Sequence, residues 1–174
     1  MPVADKLIQV AETYGFDGWF INQETEGAEE RTLTRDDAVK MQEFIKYFKK
    51  QAPEMRLVYY DSMTSEGKMD WQNALTDKNT MFMTDEEGNA VADEMFLNFW
   101  WTEDELADKD LLKAFGEKAE ELGISPYDLY ASVDVQAEGY LTPVRWDLFE
   151  SGENTTNTSL GLYCPSWAYY SAAT

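Results

Sequence analysis

Five short apolar runs, spaced roughly 30–40 residues apart with helix-like segments between most of them, restrict this chain more than any other feature. They predict strands over 18–23, 55–60, 95–101, 130–135 and 159–163. A first helix is expected over 4–14, where Leu7, Ile8, Val10, Ala11 and Tyr14 fall at helical spacing and Gly15 stops it. Thr34 followed by Asp37 reads as a capping box with Asp in place of Glu. From there Val39, Met41, Phe44, Ile45 and Phe48 form an apolar stripe up to Gln51, and Pro53 ends it. Residues 61–94 form a long polar connection with a short element near 79–83. Residues 103–122 are mostly helix, ended by Gly123.

Strands alternating with helices give an α/β fold with a parallel sheet. LVYY and FLNFW are apolar on both alternating faces, as in strands covered on both sides. A closed (β/α)8 TIM barrel takes eight strands and roughly 200 or more residues, whereas this chain has five strands in 174 residues. An open five-stranded piece leaves two edges unpaired. The expectation is that residues 1–174 are the last five strands of an incomplete catalytic TIM barrel. Its first three or so β/α units are absent and are supplied in cis or in trans. The rival is a complete flavodoxin-like sheet that binds FMN, but no Gly-rich phosphate loop follows the first strand.

Composition narrows the chemistry. The net charge of −20 repels phosphates, which disfavours nucleic acid and anionic membranes but not neutral sugars. With no histidine, Ser-His-Asp triads, Cys-His dyads and most zinc sites are excluded. Cys164 is the only cysteine, so no intrachain disulfide forms. No apolar run is long enough to span a bilayer, and the first residues carry no basic-then-apolar leader. No metal or organic cofactor is implied.

The strand ends concentrate polar and aromatic residues: Asn22/Glu24, Tyr60/Asp61, Trp100/Trp101, Asp134/Gln136 and Tyr163/Trp167. In a (β/α)8 barrel those ends build the active site. Residues two apart on a strand share a face, so Asn22 and Glu24 project together while Ile21 and Gln23 point away. A carboxyl beside a carboxamide suits substrate-assisted glycoside cleavage. There the sugar's own 2-acetamido oxygen attacks the anomeric carbon, and the protein supplies one acid and one group to hold the acetamide. The structural alternative is that both residues merely lead into an acidic surface loop with Glu26, Glu29 and Glu30.

YGFDGWFINQE resembles the active-site strand of the endo-β-N-acetylglucosaminidases of glycoside hydrolase family 85. The likeness continues, in order, through VYYDSMTSEGKMDWQNALTDKN, FLNFWW, SPYDLYASVDVQAEGY and SLGLYCPSW. It implies an enzyme that cuts between the two N-acetylglucosamines of the N-glycan core, acting on N-glycans or glycoproteins. It also implies three barrel strands before residue 1. By resemblance, Glu24 is the general acid and then the general base, and Asn22 orients the acetamide. Tyr60 hydrogen-bonds at the same acetamide, and Trp71, Phe99 and Trp100 wall the sugar subsite. Asp134, Gln136 and Trp167 are further contacts at strand ends, with a structural role the alternative for each. Trp101, pointing opposite to Trp100, reads as core. A bacterial parent would be secreted or surface-bound and any other cytoplasmic. The competing class is a fragment or inactive remnant that binds carbohydrate without cutting it.

Overall fold

The computed structural model describes residues 1–102, 111–146 and 158–172. The first helix, α1 (Pro2–Tyr14), begins with proline, whose fixed φ suits a first turn. It ends at Gly15, whose φ of 74° is left-handed and open to glycine at no steric cost. Strand β1 (Gly18–Ile21) follows, then a two-residue hairpin, β2 (Gly27–Ala28) and β3 (Arg31–Thr32). The second helix, α2 (Arg35–Gln51), carries the expected Thr34–Asp37 capping box. The hydrogen bond from the Thr34 backbone, with help from Lys40 and Arg31, holds the Asp37 carboxyl down at about 2. Acidic residues in its first turn and Lys49 and Lys50 in its last complement the helix dipole.

Strand β4 (Arg56–Tyr60) leads into the long 61–93 connection, whose short element is one 3-10 turn, Thr80–Phe82. Strand β5 (Glu94–Phe96) is shorter than expected, because the chain turns at Leu97 and Phe99–Thr102 coil into a second 3-10 turn. After α3 (Leu111–Glu121) come β6 (Leu129–Asp134), the short α4 (Val135–Glu138), β7 (Ser159–Tyr163) and α5 (Ser166–Ser171). The helix expected over 103–122 is present in its second half; 103–110 lie outside the described residues.

The five main strands pair in parallel in the order β1-β4-β5-β6-β7, each beside its sequence neighbour. A flavodoxin-like sheet places its second strand outside its first, so that rival is excluded. All five carboxyl ends therefore meet along one edge of the sheet.

The two faces of the sheet differ. Leu57, Tyr59, Met95, Leu129 and Ala131 are fully buried, packed in one core with Ala38, Ile45 and Phe48 of α2 and with Phe115 and Ala119 of α3. Trp19 joins this side by donating its indole N–H to Leu7 O in α1. The other face is a layer of touching rings: Phe20 with Tyr60 and Phe96, and Phe96 with Tyr130. It is less covered than the sequence suggests, with Phe20 43% exposed. Gly161 is needed here, since a Cβ at that position would lie 2.4 Å from the Phe96 ring.

Candidate active site

Strand β1 ends at Ile21, and the chain turns out of the sheet with Asn22 and Glu24. They remain side by side, Asn22 Nδ2 donating to Glu24 Oε2 at 2.9 Å. Ser62, just past β4, fixes this exit by donating its hydroxyl to Gln23 O at 2.8 Å. The Gln23 side chain folds onto Thr25 instead. Trp71, from the 61–93 connection, donates its indole N–H to Glu24 Oε1 at 3.1 Å. Both carboxylate oxygens are thus held, one by a carboxamide and one by an indole, and the plane of the carboxyl is fixed.

Phe20, Asn22, Glu24, Tyr60, Phe96, Phe99 and Tyr163 line a cavity of about 120 Å³ at the carboxyl edge of the sheet. Aromatic faces and edges make most of its wall, with one acid, one amide and two phenols as its polar groups. Burial first, then the charges of Glu24, Asp61 and Asp134, push the Tyr60 phenol up, so it stays neutral. Trp100 packs edge-on to Trp71 at 5.4 Å and is 50% exposed, just outside the cavity. Trp101, 1% exposed, donates its indole N–H to Ser132 O in the core.

The remaining strand-end residues fall elsewhere. Asp134 caps α4, accepting the Gln136 backbone N–H at 3.1 Å. Gln136 and Trp167 lie on α4 and α5 and do not line the cavity. Tyr163, named above only as a strand-end residue with no role assigned, lines it, and so does Phe96, which the sequence does not single out. Register carries the missing signal: Tyr60 pairs with Phe96, and Asp134 pairs with Tyr163. Among the described residues no group of acidic or cysteine side chains could hold a metal, and no helix is long and apolar enough to cross a membrane.

Asp61 sits behind the cavity, 1% exposed, and anchors the connection that delivers Trp71. Its carboxylate accepts the Gln72 and Asn73 backbone N–H groups at 3.2 and 2.7 Å and Asn79 Nδ2 at 2.9 Å. These donors favour the charged form, but burial outweighs them and pushes the carboxyl from 3.8 up to about 6. At this site the folded protein then holds more protons than the unfolded chain between those values, so the contribution of Asp61 to stability is full below about 4 and is lost as the pH rises to 6. That interval corresponds to about 3 kcal/mol. Denaturant titrations at pH 4 and 7 are expected to show this loss in the native protein and to lack it in Asp61→Asn. An equal loss in both proteins would remove Asp61 as its source.

The sequence profile of the family described as Glycosyl hydrolase family 85 matches residues 1–174. Among characterised proteins, the cytosolic endo-beta-N-acetylglucosaminidase of Danio rerio is 31% identical over 169 residues, covering 95% of this chain and 22% of that protein. The Homo sapiens protein of the same description is 30% identical over 173 residues, covering 96% and 20%. Among solved structures, the glycoside hydrolase domain of Spr0440, Endo-D from Streptococcus pneumoniae R6, superposes with a TM-score of 0.84 at 32% identity. That match covers 100% of this chain and 27% of the solved one, so the chain spans only a small part of the proteins it resembles.

Proposed function

The chain belongs to glycosyl hydrolase family 85, and on that premise we propose that its site serves an endo-β-N-acetylglucosaminidase cutting the N-glycan core by a retaining, substrate-assisted route. One observation carries the reading: Asn22 and Glu24 stand 2.9 Å apart at the mouth of an aromatic cavity on the carboxyl edge of a parallel sheet.

In this reading Glu24 protonates the glycosidic oxygen as the bond to the anomeric carbon breaks. The acetamido oxygen attacks from the opposite face, giving an oxazolinium ion that keeps the acetamide N–H. Glu24, now a carboxylate, takes a proton from the incoming water, which opens the ring and restores the configuration. Asn22 orients the acetamide for attack, and Tyr60 contacts the same group from the other wall. Phe99, with Trp71 and Trp100 beyond it, offers ring faces to the apolar C–H surfaces of the sugar. Asp134 acts at a distance, its negative charge adding to that of Glu24 around Tyr60. Gln136 and Trp167 are placed to meet the glycan only outside the cavity.

The enzyme containing this chain, incubated with a glycoprotein bearing high-mannose N-glycans, is expected to lower its mass by the whole glycan less one N-acetylglucosamine. A glycoprotein that is bound but unchanged in mass would favour the alternative, a carbohydrate-binding module that does not cut.

A further inference from the structure

We infer that Asn98 and Asn73 are positioning residues that lock the Tyr60 hydroxyl as a hydrogen-bond acceptor toward the cavity, where it receives the N–H of the substrate acetamide; this rests on the glycosidase reading above. The polarity of the chain of bonds is set at one end by a group that can only donate. The backbone N–H of Trp100, at the start of its 3-10 turn, lies 3.0 Å from Asn73, so the Asn73 atom it meets is the carbonyl Oδ1. The same oxygen accepts Asn98 Nδ2 at 3.0 Å. Asn98 is thereby left with its Oδ1 facing Tyr60, 2.8 Å from the phenol oxygen. An amide oxygen has no proton to give, so the phenol proton is committed to Asn98. The phenol's lone pairs remain for its other neighbours, Trp71 and the cavity.

Among the described residues no other group competes to turn these amides around. Asn73 and Asn98 are 5% and 4% exposed. Asn73 holds a left-handed backbone with φ 54°, a region asparagine enters more readily than most residues. Its own N–H is tied to Asp61 at 2.7 Å. As the acetamido oxygen attacks the anomeric carbon, positive charge grows on the acetamide nitrogen and its N–H becomes more acidic. An acceptor fixed beside that N–H therefore binds the transition state more strongly than the ground state. The loss of Asn98 should lower kcat and leave KM nearly unchanged.

The test is a double-mutant cycle in the enzyme containing this chain, with kcat and KM for N-glycan hydrolysis read for native enzyme, Asn98→Leu, Tyr60→Phe and the double variant. Asn98→Leu is expected to lower kcat on the order of 10²-fold in the native background and less than about threefold once Tyr60 is Phe. Equal losses in both backgrounds would mean that Asn98 only supports the fold, and would overturn the inference. Should Asn98→Leu fail to fold, Asn73→Ser takes its place, since its shorter side chain frees the Asn98 amide to turn. A 13C label on the tyrosine Cζ gives a readout separate from activity. The Tyr60 signal is expected to move in Asn73→Ser, and an unmoved signal also overturns the inference. A native enzyme that cleaves no N-glycan defeats the glycosidase reading instead, and the Cζ signal still decides the polarity.

Discussion

Glu24→Gln is expected to lower kcat for N-glycan hydrolysis on the order of 10²–10⁴-fold, the span that one general acid–base group supplies, while the protein melts where the native one does. Glutamine keeps the length of the side chain and an oxygen for the Trp71 indole N–H, but it has no proton to give the departing oxygen. Its Nε2 would also face Asn22 Nδ2, donor against donor, where the native pair shares one hydrogen bond of 2.9 Å. Both side chains are exposed, and substitutions at such positions usually move stability by less than about 0.5 kcal/mol. A loss of activity accompanied by a large fall in melting temperature would point to the fold instead. Undiminished hydrolysis would end the assignment of Glu24.

Asn22→Ala separates the two halves of the proposed reaction. Formation of the oxazoline needs the acetamide held for attack; its opening does not. Hydrolysis of the natural glycan is expected to fall by about 10²-fold or more, while a preformed sugar oxazoline is consumed within about tenfold of the native rate. Equal loss on both substrates would show that Asn22 serves another purpose, such as holding Glu24 through their shared hydrogen bond.

The parts of the fold that could be read from the sequence were those set by local chemistry. Gly15 ends α1, the Thr34–Asp37 box starts α2, and β7 spans Ser159–Tyr163 as expected. Its errors lie where distant residues decide. FLNFW is apolar enough to read as one long strand, but Asn73, 27 residues away from Trp100, accepts that residue's backbone N–H and draws the segment into a 3-10 turn. The β2–β3 hairpin has no apolar alternation and closes on Glu29-Glu30, which is not a turn signature, so nothing local announces it. In the site, Asn22, Glu24 and Tyr60 were legible because each sits at or near a strand end, and Phe99 was named through the family resemblance alone. Tyr163 could be placed at a strand end but given no role, and Phe96 was not legible, because the register that brings both into the wall is a property of the assembled sheet. The Asn73–Asn98–Tyr60 relay was hidden for the same reason: two ordinary amides gain direction only from a donor supplied by another segment.

The neighbour-by-neighbour strand order also governs how the protein is made. Every hydrogen-bonded seam in the main sheet joins a strand to the main-sheet strand synthesised before it, with only the small β2–β3 hairpin interposed between β1 and β4. Each newly emerged strand of this sheet thus finds its template already waiting, and only the outer edges of β1 and β7 have no partner among these strands. Growth in this sense is accretive, adding one layer at a time, which keeps loop-closure costs low and shortens the exposure of sticky intermediates during translation.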